Sequence, residues 1–366
     1  MKNLSVSRSF SSAKKVSLLC GRDLAPLPEL APGLFGGADK FCLVTDRNCF
    51  KAFKRRFNGM LAGASGRTAV FEAPDGAKAK DLKTLGRLLA FMLERGLSRR
   101  SLIIAAGGGS VTDLAGLSAA LYMRGIKWIS VPTTLLGQAD AGIGGKTAVD
   151  LNGVKNIAGA FYQPDLTVCD SAFLDTLSRN ELRAGAGELL KYALIAPDKP
   201  GRTVLKNLPA ALEGGREELA RMISACAAFK LDLVSRDERE ETGLRETLNF
   251  GHTAGHAFEA ASKGTLRHGD AVLWGMRYAA ALSLRLGIMD EGSAPAVEAA
   301  LRAIEPPPLK SAALDYDRFS EFISRDKKTG AHFNRFILIV RPGTLKAVND
   351  IPGGALKRCL KELAGR

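Results

Sequence analysis

Three of the four histidines in this 366-residue chain fall within one short stretch, as His252, His256 and His268. His252 and His256 are four residues apart, so on a helix they would lie on one face, about one turn from each other. Imidazole binds Zn²⁺ and similar metals, and a catalytic site holds about three protein ligands with one position open. The alternative is a pair of packed or solvated helix histidines. His268 favours the metal, because residues 267–270 open a new apolar segment and would bring a third ligand from a separate element.

The composition is that of a globular protein of two domains. The 366 residues exceed what one ordinary core covers, so we expect two domains of roughly 150 to 200 residues each. No apolar run approaches the ~18 residues that a membrane span needs, and charges at Arg8, Lys14 and Lys15 interrupt any signal-peptide core. The six cysteines form no CxxC pair, which is typical of buried thiols in a reducing compartment. We therefore expect a cytoplasmic protein that binds no membrane.

The formal net charge of +14 has two interpretations. Nucleic-acid binding is driven by phosphate neutralisation, but a small anionic substrate also requires cations. The basic residues are spread along the chain with only short clusters, such as residues 51–56, and no nucleic-acid-binding motif accompanies them. We therefore predict a small anionic substrate and no nucleic-acid partner.

Apolar runs and amphipathic segments alternate in the first half of the chain, which predicts a Rossmann-like α/β domain with a largely parallel sheet. The predicted strands are 41–45, 68–71, 102–106, 128–131 and 166–169, with a helix at 81–96 between the second and third. From about residue 178 helical periodicity dominates, and the predicted helices are 181–195, 217–234, 248–261, 271–286 and 294–304. We expect residues 1–177 to form the α/β domain and residues 178–366 to form a mainly helical domain, with 336–340 as its only late strand.

A glycine-rich turn follows the third predicted strand at residues 107–113 and leads into a helical segment. In such a turn the backbone N–H groups can approach a pyrophosphate, and the N-terminus of the helix adds a favourable potential. Thr112 stands where the full dinucleotide fingerprint has its third glycine, so a plain tight turn is the alternative.

Further motifs follow in order along the chain, and they place polar groups, cations and glycines at irregular spacing, which a hydrophobic core does not require. They lie at residues 131–140, 144–147, 155–156, 159–164, 187–192, 248–256 and 268–272. Together with the turn at 107–113, this set resembles the 3-dehydroquinate synthase family, a group of sugar-phosphate cyclases of the shikimate pathway. The resemblance covers about residues 100–330.

The resemblance implies a homodimeric lyase that converts 3-deoxy-D-arabino-heptulosonate 7-phosphate into 3-dehydroquinate and phosphate. Such an enzyme uses NAD⁺ without net consumption and one divalent metal, Zn²⁺ or Co²⁺. The implied sequence is oxidation of a hydroxyl, elimination of phosphate, reduction of the ketone, ring opening and aldol closure. The first domain would then bind NAD⁺, and the second would bind the metal and the substrate.

The resemblance also implies roles for individual residues. The metal is held by Glu188, His252 and His268. His256 is not a fourth ligand and either supports the ligands from behind or handles protons. The substrate site comprises Lys146, Lys155, Asn156, Lys191, Lys230, Arg245, Asn249 and one of Lys327 and Lys328, with the acidic Asp140 and Glu241, and with Arg124 reaching in from a partner subunit. The NAD⁺ site comprises Asp46, Asn48, Lys80, Gly108, Gly109, Asp113, Thr133, Thr134, Asp140, Lys146, Lys155, Phe173, Thr176 and Leu177.

Two segments depart from the family pattern. The usual Gly-Glu-x-x-Lys stands here as residues 76–80 with Ala77 in place of the glutamate, so a carboxylate near the adenosine ribose is missing. The loop at 237–243 is one residue longer than usual, which bears on the placement of Lys230 more than on that of Arg245.

Three other functions compete with this one. Other sugar-phosphate cyclases make valiolone-type or deoxy-inosose rings on the same fold, but Lys230, Arg245, Asn249 and His256 follow the 3-dehydroquinate synthase pattern. Metal-dependent polyol dehydrogenases share the architecture but need no phosphate-binding cations. A non-catalytic binding protein on the same scaffold would have lost ligands, and none is lost.

Overall fold

The computed structural model describes residues 4–9, 14–325 and 334–364. The chain forms two compact units, the first comprising Met1–Leu177 with Cys226–Arg239 and the second comprising Ser178–Ala225 with Glu240–Arg366. The first division falls between Leu177 and Ser178, and the segment Cys226–Arg239 groups with the first unit although it follows that boundary. Among the described residues, no helix has both the length and the apolar character needed to cross a bilayer.

The first unit is built on a seven-stranded sheet in the order β1-β2-β9-β6-β5-β3-β4. Six of these strands run parallel, and β1 pairs antiparallel with β2. The strands are β1 (Leu4–Ser9), β2 (Lys15–Gly21), β3 (Phe41–Asp46), β4 (Thr68–Ala73), β5 (Leu102–Gly107), β6 (Lys127–Pro132) and β9 (Leu166–Asp170). The five predicted strands and the largely parallel sheet are confirmed. The strands β1 and β2 were not predicted, because β2 alternates buried and partly exposed residues and has no continuous apolar run.

Both faces of this sheet are covered, which explains the continuous apolar runs of its strands. Successive residues of a strand point to opposite faces. Accordingly, Val44 and Ile103 pack in a cluster with Trp128, whereas their neighbours in the sequence, such as Ile104, pack in a second cluster with Phe57.

The remaining elements of the first unit cover the sheet or extend from it. They include the helices α1 (Leu27–Leu30), α2 (Pro32–Gly37), α3 (Arg47–Met60), α4 (Leu82–Glu94) and α5 (Gly109–Leu121), and a hairpin of β7 (Lys146–Leu151) and β8 (Val154–Phe161). The helix α4 confirms the prediction at 81–96, and Asp81 caps it by accepting a hydrogen bond from the Thr84 N–H. All six cysteines are buried, as expected of small apolar side chains.

The second unit is mainly helical, as predicted. Its helices are α6 (Arg179–Ile195), α7 (Lys199–Leu212), the first part of α8 (Arg216–Arg236), α9 (His252–Ala261), α10 (His268–Arg285), α11 (Ala294–Leu301), α12 (Tyr316–Arg325) and α13 (Gly353–Ala364). The expectation of a single late strand was wrong, because β10 (Arg335–Arg341) pairs with β11 (Thr344–Asn349) in a hairpin.

The predicted helix at 248–261 is divided into two elements. Arg245–Asn249 is a 3₁₀ turn, and α9 begins only at His252. Gly251 separates them with a φ of 83°, a left-handed conformation that interrupts a helix and that glycine adopts without strain. As a result, His252 occupies the first position of its helix.

Candidate functional site

Glu188, His252 and His268 converge in the second unit. One carboxylate oxygen and one nitrogen from each ring all lie within 4.8 Å of one another. His252 Nε2 is 3.5 Å and His268 Nε2 is 3.2 Å from Glu188 Oε1. Glu188 lies within α6, and the histidines are the first residues of α9 and α10. The prediction that His268 begins a separate element is confirmed, and the three side chains have the types and spacing of a two-histidine, one-carboxylate metal site.

Glycines beside the three residues allow the three helices to approach closely. A Cβ at Gly269 would lie 1.7 Å from the Ala184 carbonyl oxygen of α6, and a Cβ at Gly275 would lie 1.9 Å from the Gly251 carbonyl oxygen. A residue larger than glycine would fit at either position only if the backbone moved. The helices that carry the candidate ligands therefore pack with their backbones in contact, and no side chain fits between them at these glycines.

Glu188 is fully buried, and neither of its oxygens has a hydrogen-bond partner of normal geometry. Lys191 Nζ, also fully buried, lies 2.9 Å from Glu188 Oε2. Burial acts to raise the pKa of Glu188, but Lys191 and His252 outweigh it and hold that pKa well below its usual range. A buried, ionised carboxylate whose lone pairs lack hydrogen bonds fits a divalent cation.

The pKa values of the two candidate histidine ligands are shifted in opposite directions. Burial lowers the pKa of His252, and Lys191 lowers it further, so its imidazole is neutral and able to bind a metal. His268 is only partly buried, and its contacts with the carboxylates of Glu188 and Glu259 raise its pKa to about 10. In the metal-free protein His268 is therefore the protonated member of the pair.

His256 completes a cluster of three imidazoles without joining the ligand set. Its ring centroid lies 5.5 Å from that of His252 and 5.6 Å from that of His268. The three atoms that lie within 4.8 Å of one another do not include one from His256. His256 therefore lies beside the three candidate ligands and outside their group.

An ion pair fixes the first turn of α10 beside His268. Asp270 is buried, and the Arg183 guanidinium of α6 donates to both of its carboxylate oxygens over 3.3 Å. Arg183 could not be singled out from the sequence, because the contact joins residues 87 positions apart.

Arg245 has a buried guanidinium at the start of the 3₁₀ turn, and it is only 2% exposed. Its Nε lies 4.0 Å from Glu240 Oε1. Glu241, the expected acidic member of the substrate site, is exposed, and the sequence reasoning did not single out Glu240. Asn249, at the end of the same turn, is exposed.

The glycine-rich turn of the first unit joins β5 to α5 at the carboxyl end of the sheet. Gly108 is the N-cap of α5, and a Cβ there would lie 3.3 Å from Thr134 Cγ2. Thr133 donates its N–H to the Gly107 carbonyl over 2.9 Å, which fixes the neighbouring turn after β6. The predicted residues of these two turns therefore lie together where dinucleotides bind in parallel sheets.

Gly116 has the packing role that the third glycine of the dinucleotide fingerprint usually has. A Cβ at Gly116 would lie 2.4 Å from Thr147 Cγ2 and 2.9 Å from the Trp128 ring. Gly116, four residues after Thr112, thus allows α5 to approach its neighbours closely. The threonine at position 112 therefore does not argue against a cofactor site.

A second carboxylate lies beside Asp46 at the end of β3. Asp46 accepts a hydrogen bond from the Cys49 N–H over 2.8 Å, and Asp75 accepts one from the Asn48 N–H over 2.9 Å. Burial raises the pKa of Asp46, and the nearby Asp75 raises it further. Asp75 precedes the segment in which Ala77 replaces the family glutamate, and the sequence reasoning did not single it out.

Lys80 pairs with two of the predicted residues, because its Nζ donates to the side chains of both Asp113 and Asn156. Partial burial raises the pKa of Asp113 to about 6, although Lys80 acts to lower it. In a second pair Lys230 of α8 donates to the Asp140 side chain. The two lysines are thus neutralised by carboxylates within the first unit.

The other predicted residues of the first unit differ in exposure. Phe173 is 2% exposed and packs edge-on against Phe53, with ring centroids 5.0 Å apart, so it belongs to the apolar cluster rather than to an open surface. Exposed positions are held by Arg124, Lys146, Lys155 and Thr176, and Leu177 is half-buried. Lys327 and Lys328, of the second unit, lie outside the described residues.

Comparisons with known proteins agree with this geometry. A family model described as 3-dehydroquinate synthase N-terminal matches residues 70–184, and one described as 3-dehydroquinate synthase C-terminal matches residues 185–329. The chain is 39% identical over 332 residues to the 3-dehydroquinate synthase of Endomicrobium trichonymphae, which covers 89% of each chain.

Two solved structures share the fold over nearly the whole chain. A 2-deoxy-scyllo-inosose synthase in complex with carbaglucose-6-phosphate, NAD⁺ and Co²⁺ has a TM-score of 0.86 and 25% identity, covering 98% of this chain and 99% of its own. ValA, the 2-epi-5-epi-valiolone synthase of Streptomyces hygroscopicus subsp. jinggangensis 5008 with NAD⁺ and Zn²⁺ bound, has a TM-score of 0.82 and 27% identity, with the same two coverages.

Proposed function

The chain belongs to the 3-dehydroquinate synthase family and is a cyclase of the lyase type, and we propose that it converts 3-deoxy-D-arabino-heptulosonate 7-phosphate into 3-dehydroquinate and phosphate. The observation that carries this proposal is the buried Glu188 carboxylate, without normal hydrogen bonds, facing two histidine nitrogens. When bound, NAD⁺ supplies a reversible hydride acceptor and a divalent metal supplies a Lewis acid for the substrate oxygens.

Glu188, His252 and His268 would hold the metal, Zn²⁺ or Co²⁺. The role of Lys191 follows from its position beside Glu188: its ammonium keeps the carboxylate ionised and so ready to bind a cation. His256, packed against both histidine rings but outside the ligand set, would accept or donate a proton near the metal.

Cationic side chains would bind the anionic groups of the substrate. Arg245 is the strongest candidate of the second unit, because its guanidinium is buried at the start of the 3₁₀ turn. Among the cations of the first unit, Lys230 is nearly buried and already paired with Asp140. The exposed Lys146 and Lys155, with Asn156, would bind phosphate without a large desolvation cost.

NAD⁺ would be held at the carboxyl ends of β3, β5 and β6. The N–H groups of the Gly108–Gly109 turn would face the pyrophosphate at the N-terminus of α5, with Thr133 and Thr134 beside them. Asp46 and Asp75 would accept hydrogen bonds from the hydroxyls of the adenosine ribose, so that Asp75 supplies the carboxylate that Ala77 does not.

We further propose a cytoplasmic homodimer in which Arg124 enters the site of the partner subunit. Arg124 is exposed and has a φ of 64°, so its backbone is held in an uncommon conformation. Mixing Arg124→Ala subunits with His252→Ala subunits is expected to restore part of the activity, because one hybrid site regains both groups. No recovery in verified mixed dimers would contradict a shared site.

The experiment that tests the substrate is a comparison of sugar phosphates. The purified protein is incubated with NAD⁺ and Zn²⁺ or Co²⁺, and released phosphate is measured with the heptulosonate phosphate, a hexose 6-phosphate or sedoheptulose 7-phosphate. We expect release from the first alone, with 3-dehydroquinate as the product. Faster turnover of either other sugar would assign the chain to another branch of the cyclases.

A further inference from the structure

The side chain of Glu259 contacts the outer nitrogen of one candidate metal ligand. Glu259 Oε2 lies 2.9 Å from His268 Nδ1, while the other nitrogen of the same ring, Nε2, lies 3.2 Å from Glu188 Oε1. Glu259 lies on α9, two turns after His252, and His268 begins α10. The contact therefore joins two of the helices that carry the ligand set.

We propose that Glu259 is a positioning residue for the metal, because it fixes the orientation and tautomer of His268. This inference rests on the proposed function, which places a divalent metal at Glu188, His252 and His268. When Nδ1 donates its hydrogen to the Glu259 carboxylate, the lone pair of Nε2 is directed to the side of the ring where Glu188 lies. Glu259 itself is not part of the ligand set.

The two candidate histidine ligands differ in how their rings are held. His252 Nδ1 lies 3.4 Å from the carbonyl oxygen of Phe250, a backbone group of its own chain segment. His268 depends on a side chain instead, and it is the more exposed of the two, with 30% of its side chain accessible against 15% for His252. Packing alone therefore constrains the His268 ring less, and the Glu259 hydrogen bond has more effect on it.

The consequence is a division of roles along one helix face. His252 and Glu259 are seven residues apart, so they lie on the same side of α9. One binds the metal directly and the other orients the ligand of the adjoining helix. Loss of Glu259 should leave all three ligand side chains in place but weaken metal binding, typically by about 10- to 100-fold.

The experiment compares metal binding by four variants of the whole chain. Metal-free wild type, Glu259→Ala, Glu259→Gln and Glu218→Ala are titrated with Zn²⁺ in competition with a chromophoric chelator, and with Co²⁺ followed by its visible absorption. Glu218 is the matched control, because it is a helix glutamate of similar exposure, 29% against 23%, whose partner is Arg221. No substrate or NAD⁺ is present, so the measurement does not depend on turnover.

We expect Glu259→Ala to bind both metals about 10- to 100-fold more weakly and to change the Co²⁺ spectrum. Glu259→Gln should recover part of the affinity, since its amide oxygen can still accept from Nδ1, and Glu218→Ala should bind as wild type does. If Glu259→Ala fails to fold, Glu259→Ser, which is too short to reach the ring, takes its place.

Wild-type affinity and an unchanged Co²⁺ spectrum in the folded Ala or Ser variant would overturn the role of Glu259 while leaving the metal site intact. A wild-type protein that bound neither metal would overturn the metal site of the proposed function, and this inference with it.

Discussion

Lys191 Nζ lies 2.9 Å from Glu188 Oε2, one turn further along the same helix, and both side chains are inaccessible to solvent. Neither charge could be buried alone without a large desolvation cost. The pair therefore explains how a fully buried carboxylate remains ionised at a site proposed to bind a divalent cation.

Replacing Lys191 by methionine should destabilise the metal-free protein by about 3 to 5 kcal/mol at pH 7, because it leaves a buried charge without its partner. The loss should shrink towards pH 5, since burial without Lys191 raises the pKa of Glu188 and lets it take up a proton. Denaturant unfolding measures both. Lys206→Met, at an exposed position of α7, is the control, and equal stabilities of the two variants at pH 7 would contradict this account.

Metal binding should release about one proton at pH 7.5, because the metal needs the free Nε2 of His268. The pKa of this group is raised from 6.5 to about 10 in the metal-free protein, so its contribution to stability is complete below pH 6.5 and is lost as the pH rises through about 10. The apparent metal affinity should accordingly rise about tenfold per pH unit between pH 7 and 9. Calorimetry in buffers of different ionisation enthalpy counts the proton, and a count near zero would mean that His268 is neutral before the metal binds.

Arg245→Ala should weaken the binding of the substrate and leave that of NAD⁺ nearly unchanged. A hydrogen bond to a charged group contributes roughly 1.5 to 3 kcal/mol, which corresponds to about 10- to 150-fold in affinity. Calorimetry with each ligand separately measures the two effects, and Arg302→Ala, which removes an exposed arginine of the second unit, is the control. A larger loss for NAD⁺ than for the substrate would remove Arg245 from the substrate site.

Asp75→Ala should weaken NAD⁺ binding, and Ala77→Glu should change only NAD⁺ affinity, because both positions are assigned to the adenosine end of the cofactor. The rate of a single turnover at saturating NAD⁺ should stay at the wild-type value in both variants. Equilibrium titration of NAD⁺ and rapid-quench kinetics give the two quantities. A changed single-turnover rate in either variant would show that the adenosine site has been misplaced.

Most of the local secondary structure could be predicted from the sequence. The five strands of the first unit have continuous apolar runs, and the three histidines stand out by their scarcity and spacing. The break at Gly251 was missed, because helical periodicity continues across residues 248–261 and only the backbone conformation shows where α9 begins.

The rest of the site depends on contacts between residues distant in the chain. Glu188 could be assigned only through the resemblance, because a single glutamate in a helix has no distinctive spacing. Arg183 and Asp75 were missed for the same reason, since each acts through a contact made by folding. Glu240 was also missed, because spacing in a loop does not show which of its residues comes near Arg245.

The most direct test of the account is a mass balance with the purified protein. Incubation with the heptulosonate phosphate, catalytic NAD⁺ and Zn²⁺ or Co²⁺ should yield phosphate and 3-dehydroquinate in equal amounts, with no accumulation of NADH, whereas His268→Ala should bind no stoichiometric metal and yield neither product. Phosphate release without 3-dehydroquinate, or a His268→Ala protein with full metal content and normal turnover, would contradict it.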